Sequence, residues 1–368
     1  PTPLWVDPTA EWSAPGEVPS SVAGRKALVA RPGTRGLELI SSTGGSFADS
    51  RFDWYFAPSG PARLVRTRTT EGLVYREWRM QAASSVETYR KNLETWAHDS
   101  HGTTGVVKLE NSDPRVSAAF KETFELPDTS WARTRSDSAE AVLAQDVAFA
   151  GLYGVFDARK QLDERKAPFI LRARAKAKVT SAFHLPPGYR LEPLPAEVSE
   201  VAGPAKVGVT WRRASGDDIE GVLTVELEPG ELSVADAKRL IDDIYPRVDL
   251  ELTFLHSVHA ALEAGRTFAA VKEAEALLAK SNSAPDRAML AYALSSAGLQ
   301  ADAEVEARKA LAQAPKDLLV RNRVSFVLLR NEHGREFGVG YPRAEALRVT
   351  GETLAQGDAD EWARRMHV

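Results

Sequence analysis

The stretch PFILRARAKAKVTSAFHLPPGYRLEPLP, residues 168–195, alternates apolar and charged residues over much of its length. This period of two is typical of a β-strand with one buried face and one solvent face. One face would carry four basic side chains and the other four small apolar ones: Arg172, Arg174, Lys176 and Lys178 against Ala173, Ala175, Ala177 and Val179. The stretch therefore predicts a long, half-buried strand.

The next residues predict a hairpin that continues the same sheet. Its arms are KVGVTWRR (206–213) and EGVLTVELEPG (220–230), and its turn is ASGDD. Glu226 and Glu228 are expected to pair across the strands with the basic strip. An anionic polymer is the alternative partner for that strip. Pairing is favoured because no aromatic residues alternate with the basic ones to stack on bases.

Upstream of this stretch, other runs with a period of two predict further strands. ARLVRTRTTEGLVYREWRM (62–80) reads as a hairpin that turns at Glu71-Gly72, while GVVKLENSDP (105–114) and SAAFKETFELP (117–127) read as two more strands. Most of the region up to about residue 232 is therefore expected to be antiparallel β structure.

One helix is expected to interrupt these strands, over SSVETYRKNLETWAHDS (84–100). Its apolar residues recur at helical spacing: Val86, Tyr89, Leu93 and Trp96. Ser84 and Glu87 have the spacing of a capping box, which predicts the start of the helix.

From Ser233 onward the pattern changes to a helical one, rich in Ala, Leu, Glu and Lys, with a break predicted at Pro246. Within this region HAALEAGRTFAAVKEAEALLAK (259–280) aligns with YALSSAGLQADAEVEARKALAQ (292–313) at an offset of 33 residues. The offset superposes a glycine, two alanines and a leucine: Gly265 on Gly298, Ala270 on Ala303, Ala274 on Ala307, and Leu278 on Leu311. Small residues and turn glycines at a fixed period predict stacked helical hairpins.

This repeat resembles the tetratricopeptide repeat, whose unit is about 34 residues. A following unit (318–355) is interrupted by NEHGREFGVGYPR, which reads as a loop insertion. Arrays of this kind offer a concave face to a protein or peptide, so the resemblance implies a protein partner for the helical region.

Composition excludes several classes of function. With 47 basic and 51 acidic residues the net charge is −4, which argues against nucleic acid as a partner. The chain has no cysteine, so it has no thiolate zinc ligand and no cysteine nucleophile. No apolar run reaches the length of a membrane span, and the sequence predicts no metal and no cofactor. The start lacks an initiator methionine, which predicts a fragment or processed form.

The opening residues, PLWVDPTAEWSAPGEVPSSVAGRKALVA, resemble the end of a bacterial transglutaminase-like domain with a papain-like fold, as found in large envelope proteins. FHLPPGYRLEPLP (183–195) is similar to a strand of the β-domain that follows it in such proteins. The resemblance implies that Asp7 is the acid of a Cys-His-Asp triad whose other members lie upstream. It also implies a periplasmic or envelope location. From the residues alone, the turn interpretation of Asp before Pro-Thr is the favoured one, and with the resemblance the two interpretations are about equal.

Together these patterns predict an α+β chain in three parts. Residues 1–30 would be the terminal strands and linker of a transglutaminase-like domain, residues 31–232 a mainly antiparallel β-sandwich with one inserted helix, and residues 233–368 tetratricopeptide-like repeats. The expected function is a non-catalytic interaction or scaffolding module that binds a protein or peptide through its repeats.

Two other functions are weighed against this one. The first is half of a split enzyme, to which this chain supplies Asp7 for cysteine-dependent acyl transfer or amide hydrolysis with an upstream domain or chain. The second is a carbohydrate-binding β-sandwich, which rests on Trp54, Trp78 and Trp211; tryptophans on strands are more often part of the core. His256 and His259 in HSVH are three apart, as in some zinc sites, but packing is favoured because no third ligand has a recognisable spacing.

Overall fold

The computed structural model describes residues 24–40, 45–72, 76–83, 85–113, 119–135, 137–214 and 217–356, together with Trp5, Val18 and Val22. These residues form a mixed α/β structure in which β-sheets come first along the chain and a helical region follows.

Seventeen strands occur among the described residues. They are β1 (Lys26–Leu28), β2 (Leu37–Leu39), β3 (Ser46–Tyr55), β4 (Gly60–Pro61), β5 (Arg63–Glu71), β6 (Lys108–Asn111), β7 (Phe120–Leu126), β8 (Ala132–Thr134), β9 (Ser138–Val142), β10 (Phe169–Leu171), β11 (Ala175–His184), β12 (Tyr189–Arg190), β13 (Val198–Ala202), β14 (Ala205–Arg213), β15 (Ile219–Leu227), β16 (Gly230–Leu232) and β17 (Glu251–His256).

Ten α-helices occur in the same residues. They are α1 (Arg76–Ala82), α2 (Val86–His101), α3 (Tyr153–Asp157), α4 (Val234–Lys238), α5 (Ser257–Glu263), α6 (Thr267–Ser281), α7 (Ala284–Ser296), α8 (Gln300–Gln313), α9 (Leu318–Leu328) and α10 (Arg343–Leu354). Short 3-10 turns lie at Asp146–Leu152, Arg159–Gln161 and Tyr245–Arg247, and a π-helical turn lies at Arg239–Ile244.

The largest sheet has eight strands in the order β13-β14-β15-β11-β3-β5-β7-β6. Its neighbours are antiparallel except for β11 and β3, which pair in parallel with Ala175 opposite Ser46. A five-stranded sheet has the order β12-β17-β9-β8-β4. The two sheets contact each other through aromatic side chains. The ring centroids of Phe254 on β17 and Phe183 on β11 are 5.4 Å apart.

Several strand predictions are confirmed. The basic stretch contains β11, the hairpin after it is β14 and β15, and β6 pairs with β7 as an antiparallel hairpin. Buried and exposed residues alternate in β14 and at the start of β11, where one face of the sheet is buried and the other is solvated, whereas Val179–Phe183 of β11 are buried on both faces.

The hairpin predicted over residues 62–80 is wrong in its second arm. β5 ends at Glu71, and residues 76–82 form helix α1. β5 instead pairs on one side with β3, which precedes it closely in the sequence, and on the other side with β7, which lies beyond α2. The second run is short, and a short apolar run fits a strand and a helix about equally well.

The inserted helix is confirmed as α2, but its cap is one residue later than predicted. Ser85 is the N-cap, and its hydroxyl accepts a hydrogen bond from Thr88 N at 3.1 Å. Tyr89, Leu93 and Ala97 are buried, so the helix packs on the sheet through these residues.

The expectation that the chain is helical from Ser233 onward is wrong between residues 251 and 256, where β17 pairs with β9 and β12. Leu240, Ile244 and Phe254 belong to the hydrophobic core of the sheets, whereas the second core begins at Val258. The alternation of exposed and buried residues in ELTFLH carries the strand signal inside a helix-rich composition.

Beyond Val258 the helices form three hairpins, α5 with α6, α7 with α8, and α9 with α10. The turns of the first two match at the offset of 33 residues. Gly265 has φ 69° and Gly298 has φ 81°, and the backbone bonds Arg266 N to Ala261 O and Leu299 N to Leu294 O correspond. The aligned small residues are all buried: Ala270, Ala274, Ala303 and Ala307.

Candidate functional site

Asp7, the predicted triad acid, lies outside the described residues. Its role stays a prediction, as does the assignment of residues 1–30.

Two of the four residues of the basic strip are paired across the sheet, as the sequence predicts. Lys176 contacts Glu226 at 2.7 Å, and Arg174 contacts Glu228 at 2.8 Å. Lys176 and Glu226 are directly opposite each other in the strand register. The two glutamates therefore serve as partners of the strip on the solvated face of the sheet.

A second polar cluster surrounds His184 at the end of β11. Its Nδ1 lies 2.8 Å from Asp218 Oδ2, and its Nε2 lies 3.1 Å from Asp53 Oδ1. Arg51 contacts the same Asp53 at 2.9 Å. Both ring nitrogens therefore lie within hydrogen-bond distance of carboxylate oxygens, and the cluster is a network of polar contacts between β3, β11 and the turn before β15.

The segment 183–195 reaches from β11 to the helical region. Ser257 N donates to Gly188 O at 2.7 Å, and Tyr189 is opposite His256 in the pairing of β12 with β17. A cavity of about 300 Å³ lies here, which we call the junction cavity. It is lined by four prolines, a leucine and six residues with polar side chains: Pro58, Pro186, Pro187, Pro285, Leu319, Tyr189, His256, Ser281, Ser283, Asp286 and Arg323.

Arg323 of α9 is the most buried charge in the lining of the junction cavity. Its Nη1 donates to Pro285 O at 2.9 Å. Burial lowers the pKa of Arg323, and the neighbouring Tyr189 and Asp286 counteract this effect. Tyr189 donates its hydroxyl proton to Arg135 O at 3.0 Å, and burial raises its pKa. The polar groups of the junction thus hold the helical region against the β-sheets.

His256 and His259 are part of this packed junction. His256 is the last residue of β17 and caps α5, because its Nδ1 accepts from Val258 N at 3.3 Å. Burial and then the charge of Arg323 lower the pKa of His256, and burial mainly lowers the pKa of His259 to about 4. His256 packs edge-on against Tyr189, and His259 stacks on Tyr292. Among the described residues no group of three or more His, Cys, Asp or Glu could hold a metal ion.

A second cavity, of about 450 Å³, lies between helices α1 and α2 and the eight-stranded sheet. We call it the aromatic cleft. It is lined by two arginines, four aromatic residues, two amides and a leucine: Arg66, Arg68, Trp78, Trp96, Tyr89, Tyr153, Gln81, Asn92 and Leu93. The sequence reading missed this site, although Leu64, Arg66 and Arg68 share one face of β5 by their spacing.

The three tryptophans on which the carbohydrate-binding alternative rests lie in two different environments. Trp54 and Trp211 are buried in the core of the sheets. Trp78 is on α1, where it lines the aromatic cleft.

Comparison with known proteins finds no matching family model, no matching curated protein and no matching solved structure. Among the described residues, no helix has the length and apolar character needed to cross a membrane.

Proposed function

We propose that this chain is a non-catalytic interaction and scaffolding module, the C-terminal portion of a transglutaminase-like protein. In this proposal the β region is a β-sandwich and the helical region is an array of tetratricopeptide-like repeats. The resemblance of residues 3–30 and 183–195 supports the first part. The absence of cysteine means that the chain has no cysteine nucleophile of its own.

The observation that carries the proposal is the stack of helical hairpins with a repeated turn. α7 packs on both α8 and α9, and α5 also contacts α7, so the first helices of the hairpins lie side by side. In repeat arrays this side-by-side layer forms the surface that binds a partner. The junction cavity is bounded by the start of α7 and by α9, which supports a binding role for it.

In this proposal the partner inserts an apolar side chain of an extended segment into the junction cavity. The lining supports an apolar occupant, since the surface that it presents to the cavity is mainly apolar. Ser283 and Asp286 also line the cavity, but their side chains are already bonded to each other at the N-cap of α7. The upstream transglutaminase-like domain or chain is one candidate source of the segment.

A displayed library of extended peptides, selected on the intact protein, tests this function. We expect enriched peptides to share a bulky apolar residue and to bind Pro187→Glu about ten-fold or more weakly, because a carboxylate at the rim opposes apolar burial. Pro187 is exposed, so the substitution spares the core. Phe268→Glu is the matched control, since Phe268 is an exposed apolar residue of α6 that does not line the cavity.

Two results would contradict the proposal. One is that no peptide is enriched above background. The other is that Phe268→Glu, and not Pro187→Glu, abolishes binding, which would assign docking to the outer surface of the helices.

A further inference from the structure

We propose that the aromatic cleft binds a small ligand that carries a carboxylate on a ring with a flat apolar face. None of its lining residues lines the junction cavity, so this site is independent of the proposed docking of a partner. Its volume of about 450 Å³ is within the range of small-molecule sites.

The first step of the argument is the position of two arginines on the inner face of β5. Arg66 is 3% exposed and Arg68 is 6% exposed. Both arginines alternate along β5 with residues that face outward, and both lie beneath α1 and α2. Positions between a sheet and its covering helices are normally apolar, because burying an ionised side chain is costly unless it is paired. Arg66 lies over the rings of Trp96 and Phe124, and Arg68 is paired, so the two inward-facing arginines give the cleft a cationic wall.

The second step is that Arg68 is only partly satisfied. Glu122, its opposite residue on β7, accepts from Arg68 Nη2 through Oε1 at 2.8 Å. Arg68 Nε is itself buried and has no hydrogen-bond partner among the described residues, so the buried pair is incompletely satisfied. A guanidinium that lines a cleft of low dielectric attracts a planar oxyanion. A carboxylate, whose two oxygens match the planar guanidinium, is such an oxyanion.

The third step is that the remaining lining suits a ring. Trp78, Trp96, Tyr89 and Tyr153 border the cleft, and the Arg68 guanidinium already lies 4.4 Å from the centroid of the Trp78 ring. Asn92 and Gln81 add amide donors and acceptors. Aromatic walls stack on flat apolar faces, which occur both on aromatic rings and on sugar rings. The two sources of the ligand are therefore an aromatic acid and a sugar acid.

Titration calorimetry of the intact protein with four probes tests the proposal. The probes are indole-3-acetate and its neutral amide, and D-glucuronate and neutral D-glucose. In one of the two pairs, we expect the acid to bind at least about ten-fold more tightly than its neutral counterpart, because the neutral probe cannot form the charge-assisted hydrogen bond. The pair that shows this difference identifies the source of the ligand.

A paired substitution assigns the binding to the cleft. Arg68→Met with Glu122→Met removes both charges of the buried pair, so no carboxylate is left buried alone. We expect this double variant to lose acid binding about ten-fold or more while remaining folded. Lys176→Met with Glu226→Met is the matched control, because it removes a directly opposed pair from the outer face of the same sheet.

Tyr153→Ala gives a second, independent variant. Tyr153 is 53% exposed at the rim, so its loss spares the core, and we expect weaker binding of the same acid. The proposal is overturned if neither acid binds or if acid and neutral probe bind equally. It is also overturned if the Arg68 and Glu122 double variant binds as tightly as the control pair.

Discussion

At the scale of single residues, the buried pair Arg68–Glu122 gives the sharpest stability prediction. Both side chains are at most 5% exposed. Arg68→Met alone leaves a buried carboxylate without its partner, and we expect it to lower the free energy of unfolding by about 3–5 kcal/mol. Glu122 has an oxygen, Oε2, that already lacks a hydrogen-bond partner among the described residues, so nothing replaces the lost arginine.

Urea denaturation of the single and double variants measures this cost. Since methionines can fill the space of both charged groups, we expect Arg68→Met with Glu122→Met to be close to neutral or stabilising. A double variant as unstable as the single one would show that packing, and not the unpaired charge, sets the cost.

The pKa of His259, lowered to about 4 by burial, predicts a loss of stability in acid. In the unfolded chain histidine has its ordinary pKa near 6.5, so between about 6.5 and about 4 only the unfolded state takes up the proton. The free energy of unfolding should therefore fall as the pH is lowered through this window. The contribution of His259 is about 3 kcal/mol and is complete below the folded pKa. Urea midpoints measured from pH 7 to pH 4 test it.

His259→Phe separates this contribution from the general effect of acid. Phenylalanine retains the ring stacked on Tyr292 but cannot be protonated, so its stability should depend less on pH in the same window. His333→Asn is the control, since the His333 side chain is 71% exposed. Equal pH profiles for His259→Phe and the wild type would refute the assignment.

At this scale, the sequence predicts the positions of solvent-facing charged residues well and those of buried charged residues poorly. Glu226 and Glu228 were assigned to the basic strip because alternation alone sets which residues share a face. The same parity puts Arg66 and Arg68 on the face of the apolar Leu64. Their burial depends on α1 and α2 lying above them, which is a tertiary contact with no local signature. Asp7 remains a prediction.

At the scale of elements, the repeated turn predicts equal effects at two distant glycines. Gly265 and Gly298 both have positive φ and no atom within 4 Å of an added Cβ. Alanine at either position should therefore lower the free energy of unfolding by about 1 kcal/mol through backbone strain alone. The decrease should be the same in both hairpins. Gly154 also has open space around it but no positive φ, so Gly154→Ala is the control that should not destabilise. Thermal unfolding of the three variants measures the comparison, and unequal costs at the two turns would contradict their equivalence.

Elements that have a recognisable pattern within their own sequence could be predicted. Elements that depend on pairing with residues far away in the sequence could not. α2, β11 and the hairpin of β14 and β15 follow from spacing within one stretch. The parallel pairing of β11 with β3 joins residues that lie more than a hundred positions apart and leaves no local pattern. β17 was missed because six alternating residues are embedded in a helix-rich composition.

At the scale of the whole molecule, two hydrophobic cores meet at a polar junction. The first core runs to Phe254 and the second starts at Val258. Glu273 of α6 accepts from Arg190 Nη2 at 3.3 Å and from Ser257 Oγ at 3.0 Å, which ties the helices to the sheet region. Since the two cores are separate clusters, their joint unfolding depends on this junction.

Arg323 is the junction residue whose loss should uncouple the two cores. It is buried, donates to Pro285 O, and interacts with Tyr189 of the sheet region. Arg323→Ala removes these contacts and leaves a void. We therefore expect calorimetry to show one transition for the wild type and two for Arg323→Ala, with the helical core melting before the sheet core. Arg308→Ala is the control, because Arg308 forms exposed ion pairs within the helices that are worth little. A single transition shifted as a whole in Arg323→Ala would mean that other contacts couple the cores. Because Pro285 and Arg323 also line the junction cavity, uncoupling would further imply that a ligand bound there stabilises both cores together.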